Sequence, residues 1–137
     1  MVTNNPSLVV VENLSLDEGF VVELDNRLVT ILNNVNLTSD SVAISLVTPE
    51  RMRELNRDYH SVDAPTDVLS FPYQDPQSQV SAEPFVMVDE TESFLGDIAL
   101  CVSVAAKQAE EKGIHLLDEL EFLFAHGLEH LRGHHHN

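Results

Sequence analysis

At 137 residues the chain is the size of one compact domain, and its 43% hydrophobic content is that of an ordinary globular protein. Seven Lys plus Arg against 23 Asp plus Glu give a formal charge of −16, which argues against nucleic-acid binding by bulk charge and leaves any such contact to local groups. The N-terminus lacks the basic region of a signal peptide and no apolar run approaches the roughly 20 residues that cross a bilayer, so no membrane association is expected, while the lone Cys101 precludes an intramolecular disulfide and fits a reducing cytoplasm.

From the N-terminus, "SLVVVEN" from Ser7 is a short β-branched run that predicts a strand. "FVVELDNRLVTILNNV" from Phe20 then places Val21, Leu24, Leu28, Leu32 and Val35 at helical spacing. "SVAISLV" from Ser41 alternates as a strand does, and Thr48 with Pro49 supplies N-cap and first-turn chemistry for a helix reaching about Tyr59, with Met52, Leu55 and Tyr59 as its inward stripe. "TDVLSFPY" from Thr66 predicts a third strand ended by Pro72, in which Pro65 and Thr66 serve as scaffold and Asp67 hydrogen-bonds locally. "LGDIALCV" from Leu95 predicts a fourth strand, and the Gln-, Ser-, Pro- and acid-rich stretch between the two reads as a surface excursion or hairpin extension. Asp97 is unusual in a strand and is expected either as a buried hydrogen-bonding carboxylate or as an edge residue, with support of a histidine as one use. Two helices close the chain, roughly Val102 to Lys112 stopped at Gly113, and Leu116 to Arg132 stopped at Gly133. The order βαβαββαα predicts an α+β fold: one domain over residues 1–137, with a mixed four-stranded sheet covered by helices.

Five of the seven histidines lie in the closing "HGLEHLRGHHHN". On the last helix Leu116, Leu117, Leu120, Leu123, Phe124, Gly127 and Leu131 form one face of apolar and small residues. His126 and His130 fall about 40° apart, roughly 80 to 120° round from that face. Imidazoles four residues apart on a helix can share one metal ion, but a third ligand must come from elsewhere. Gly133 can turn the chain back at low conformational cost, so that His136 joins them in the pattern H-x-x-x-H-x-x-G-x-x-H. Three neutral histidines leave a fourth position open, the arrangement of a catalytic zinc site. A frayed His-rich end, or a purification tag, accounts for His134, His135 and His136 but not for His126, His130 or Gly133.

A zinc metallopeptidase is a competing reading. Zincins and metzincins carry Glu directly after the first histidine, where this chain has Gly127. "HGLEH" does match the inverted H-x-x-E-H motif with Glu129 as base, but that class draws its third ligand from far downstream, and only seven residues follow His130. A solvated surface glutamate is the simpler account of Glu129.

The tail "HGLEHLRGHHH" resembles the H-G-x-L-H-L-x-G-Y-D-H signature of the YbeY endoribonuclease family of rRNA maturation factors. Three further blocks agree in order: "LNRDY" ahead of "DAPTDVLSFP", then "GDIAL", then the "QAEEKG" helix end, together covering most of residues 50 to 136. The resemblance implies a cytoplasmic, metal-dependent endoribonuclease acting on ribosomal RNA, in 16S 3′-end maturation and ribosome quality control. It implies ribosomal RNA, the ribosome and ribosome-associated proteins as partners, and one zinc ion held by His126, His130 and His136. The chain departs from the family pattern at His60, where arginine is common, at Glu129, where leucine is usual, and at His134-His135, which replace a Tyr-Asp pair and offer competing ligands.

The bound cation would polarise a phosphodiester oxygen, activate its water, or do both, with water or the ribose 2′-hydroxyl as attacking group. His60 and Glu129 are the candidate catalytic side chains, His60 also being able to donate to a phosphate. Arg51, Arg53 and Arg57 are the densest basic group, and Arg53 and Arg57 are the candidate RNA contacts, although Glu50, Glu54 and Asp58 interleave with them as on a salt-bridged solvated face. A non-catalytic, metal-binding, ribosome-associated module is the remaining alternative.

Overall fold

The computed structural model describes residues 8–73 and 94–133, and within them the first two helices open on side-chain caps. After β1 (Val9–Val11), helix α1 (Glu18–Asn34) is opened by Asp17, whose carboxylate accepts from the Phe20 N–H at 3.1 Å. β2 (Val42–Val47) leads into α2 (Pro49–His60), where the Thr48 hydroxyl accepts from the Arg51 N–H at 3.1 Å and Ser61, at φ 61°, closes the C-terminus. β3 (Val68–Pro72) and β4 (Gly96–Cys101) follow, then α3 (Val102–Lys112) and α4 (Leu116–Leu131). The order βαβαββαα is the expected one. The stretch expected as a surface excursion or hairpin extension, residues 74–93, lies outside the described residues.

The sheet runs β1-β2-β4-β3. β1, β2 and β4 are parallel, while β3 joins β4 antiparallel with Ser70 opposite Ile98 and Phe71 opposite Asp97. Parallel neighbours need a crossover, which α1 supplies between β1 and β2. Because side chains alternate along a strand, this register sorts the sheet into two unlike faces. Ile44, Leu46, Ile98 and Leu100 look toward α1, α3 and α4, where Leu24, Leu28, Leu32, Leu120 and Phe124 complete the main core. The opposite face carries Val47, Ala99 and Cys101 and is covered by α2 through Met52 and Leu55. Each fully buried leucine contributes roughly 1.5–3 kcal/mol, so tertiary packing decides the positions of α1 and α4. Arg27 reinforces the join, reaching from α1 to Asp118 at 3.2 Å and Glu121 at 2.9 Å on α4.

One expectation about the core is corrected. Tyr59, read as part of the inward stripe of α2, is 66% exposed and rests on Phe71 with ring centroids 4.9 Å apart. Asn56 takes the buried place instead, its Nδ2 donating to the Ala64 carbonyl at 2.9 Å. Among the described elements α2 is the helix that covers that face, and its last turn overhangs the sheet rather than sinking into a layer.

Candidate metal centre

The histidine pair is built from two directions. From the helix side, His126 and His130 stand one turn apart on the exposed flank of α4. From the sheet side, Gly127 determines how close that helix comes. A β-carbon built at Gly127 would stand 3.4 Å from Ile98 Cγ2 and 3.4 Å from Val68 Cγ2, so the helix backbone lies directly against β3 and β4. The position that holds the general base in zincins is therefore a packing position in this chain.

That close approach brings His130 to β3. Its Nδ1 lies 2.9 Å from the Ser70 hydroxyl, a contact across 60 residues of sequence. With Nδ1 so engaged, a metal held by this ring would be taken through Nε2. Beyond the helix, Gly133 adopts φ 84° and its N–H donates to the His130 carbonyl at 3.1 Å, the left-handed turn expected of a glycine there. His134, His135 and His136 lie outside the described residues. Among the described residues no group of three or more His, Cys, Asp or Glu side chains gathers in a metal-binding arrangement. The two imidazoles suit a borderline-soft cation such as zinc, and a third donor has to come from beyond Gly133.

The other candidates are placed elsewhere. Glu129 is exposed on α4. His60 ends α2, its ring stacked over Phe71 at 6.2 Å and 26°. Phe71 and Ser70 project to opposite faces of β3, so His60 and the His130 contact lie on different sides of the sheet. Arg53 is engaged by Asp63 through two hydrogen bonds of 2.6 and 3.2 Å, and its guanidinium holds the Asp63 carboxyl below the usual carboxylate range. Arg57 meets Asp58 at 3.3 Å, and Arg51 meets Glu54 at 3.0 Å.

Asp97 is neither a buried hydrogen-bonding carboxylate nor an edge residue. β4 is an interior strand, and Asp97 points into an open groove of about 450 Å³ on the α2 face, lined also by Arg51, Tyr59, Phe71 and Tyr73. Partial burial raises its carboxyl above the ordinary range. It faces away from α4, whereas Ser70 meets His130. Sequence reasoning missed that serine; alternation in "DVLSFP" puts Val68 and Ser70 on one face, but nothing local says which helix lies over it.

Fold and site together define an α+β protein whose mixed sheet backs a last helix presenting an imidazole pair. Known proteins resemble this chain in sequence and in fold. The family model described as Endoribonuclease YbeY matches residues 12–137. The Endoribonuclease YbeY of Thermus thermophilus is 36% identical over 127 residues, covering 93% of this chain and 84% of that protein. That of Carboxydothermus hydrogenoformans is 37% identical over 122 residues, covering 84% and 76%. That of Brevibacillus brevis is 47% identical over 98 residues, 69% of this chain and 61% of the relative, so the match spans about three fifths of that protein. The solution structure of a Thermotoga maritima protein aligns with 90% of this chain and 71% of its own at a TM-score of 0.56 and 24% identity, a likeness of fold. The chain belongs to the YbeY endoribonuclease family.

Proposed function

We propose that this chain is a metal-dependent endoribonuclease acting on ribosomal RNA in the cytoplasm, in maturation of the 16S 3′ end and in ribosome quality control, with the ribosome and its associated proteins as partners. Family membership supports the nuclease activity. The observation that carries the metal dependence is the imidazole pair on α4, with His130 engaged from β3 by Ser70 at 2.9 Å. His126 and His130, with His136 from the residues beyond Gly133, would hold one zinc ion, which would supply Lewis acidity for phosphodiester cleavage. The protein's own part is to fix the imidazoles: α4 sets their spacing, Gly127 sets the distance to the sheet, and Ser70 meets one ring. No described helix is long and apolar enough to cross a membrane, and Cys101 is a buried thiol, both in keeping with this setting.

The formal −16 leaves local groups to meet the RNA backbone. Arg53 and Arg57 can do so by exchanging their present carboxylates for phosphates, and His60 stands at the end of the same helix. Zincin-type peptidase chemistry has less to stand on, because Gly127 abuts Ile98 and Val68 where that class needs its base. The test is to incubate zinc-loaded protein with structured rRNA and with casein. Cleavage of rRNA, lost in the His126→Ala, His130→Ala double variant together with stoichiometric zinc, is expected. Zinc retained by that variant refutes the site, and cleavage of casein alone, abolished by Glu129→Gln, refutes the nuclease assignment.

A further inference from the structure

We propose that Ser70 is a positioning residue for His130: its hydroxyl accepts a hydrogen bond from Nδ1–H of His130 and thereby holds Nε2 as the nitrogen that donates to the metal. The proposal rests on the zinc reading above. Three observations on different elements converge on it. The register of β3 on β4 sets Ser70 opposite Ile98, on the face that α4 covers. Gly127 on α4 lies against both Val68 and Ile98. His130 follows Gly127 by about one helical turn as Ser70 follows Val68 by two strand residues, so helix and strand advance in the same sense and deliver the ring to the hydroxyl at 2.9 Å.

A neutral imidazole has one N–H and one lone pair, and which nitrogen carries the proton is set by the partner of the other. A serine hydroxyl can donate or accept. If it donated to Nδ1, the proton would sit on Nε2 and the ring would have no lone pair to give on the side away from the sheet. With the hydroxyl accepting, the lone pair stands at Nε2, directed away from β3. The ring then requires no change of tautomer and no rotation to receive a cation, and the rotational freedom that an exposed histidine otherwise has is already lost in the folded protein. Carboxylates and carbonyls commonly hold ligand histidines in this way. Here the hydroxyl takes that place, which suits a chain whose nearby strand already carries the acid Asp97 on its other face.

The experiment compares wild-type protein with Ser70→Thr and Ser70→Val, two side chains of nearly equal shape and high strand propensity that differ in the hydroxyl. In metal-free protein labelled with nitrogen-15, at a pH where the ring is neutral, His130 is expected as the Nδ1-protonated tautomer in the wild type and in Ser70→Thr. Ser70→Val is expected to revert to the Nε2-protonated form that prevails in water. Zinc affinity, read by competition with a chromophoric chelator, is expected to fall about 10–100-fold in Ser70→Val and to stay near wild type in Ser70→Thr. An Nε2-protonated His130 in the wild type overturns the proposal, and does so even if Ser70→Val fails to fold. Wild-type protein that binds zinc, with Ser70→Val binding it equally well, overturns the role of Ser70 alone. Wild-type protein that takes up no zinc overturns the metal reading, and with it the purpose assigned to Ser70.

Discussion

Gly127 joins stability to the site, so replacing it tests both. In Gly127→Ala the new methyl lands 3.4 Å from Ile98 Cγ2 and Val68 Cγ2 and 3.5 Å from Ile98 Cδ1. Carbon pairs are most favourable at about 3.5–4.0 Å, so neighbours need give by no more than a few tenths of an ångström. Exchanging glycine for alanine inside a helix gains about 1 kcal/mol. Gly127→Ala is therefore expected to be neutral to about 1 kcal/mol more stable. Gly127→Val adds two γ-methyls beyond a β-carbon already in contact, and a β-branched side chain in a helix has little rotamer freedom to avoid them. Overpacking of that kind costs about 1–3 kcal/mol, relieved only by lifting α4 from the sheet. A lift that carries His130 Nδ1 beyond about 3.5 Å from Ser70 removes their hydrogen bond. Urea denaturation measures the first effect and zinc affinity the second. A Gly127→Val protein with wild-type stability and wild-type zinc affinity refutes the reasoning, and so does Gly127→Ala if it is strongly destabilised.

Three further substitutions test other parts of the account. Glu119 is 1% exposed and its carboxylate accepts from Lys112 Nζ at 2.7 Å; Lys112→Met keeps the apolar stem and is expected to cost about 1–3 kcal/mol in urea unfolding, with recovery in the Lys112→Met, Glu119→Leu double variant, because the cost is an unpaired buried acid. Gly96 stands at φ 149° with any β-carbon 2.2 Å from the Phe71 carbonyl oxygen, so Gly96→Ala is expected to open the β3–β4 pairing and lose more than about 3 kcal/mol, and an unchanged melting temperature would contradict that register. Burial raises the Asp97 carboxyl above its ordinary 3.8, so ionised Asp97 opposes folding above the raised value and this opposition vanishes below the ordinary one. Asp97→Asn is accordingly expected to melt slightly higher than wild type at neutral pH and equally at acid pH, the gain being small because the carboxylate faces an open groove, and a lower neutral melting temperature would show a favourable partner for the charge.

The features legible in the sequence are those that a few neighbouring residues settle. Asp17 and Thr48 cap helices through their own side chains, and Leu24, Leu28 and Leu32 mark a buried stripe by spacing alone. His126 and His130 share a flank of α4 because helical geometry puts residues four apart together, and Gly133 turns left-handed because glycine has no β-carbon to resist it. What the tertiary structure decided concerns partners far apart in the chain. Antiparallel addition of β3 beside β4 put Ser70 under His130 and Phe71 under Tyr59, and it set Tyr59 and Asp97 along an open groove on the α2 face. Glu119 entered the core because Lys112, on the preceding helix, was there to meet it. Periodicity records that a side chain faces inward or outward, but the identity of the group it meets depends on strand order and helix placement, which arise from burying the whole apolar surface at once.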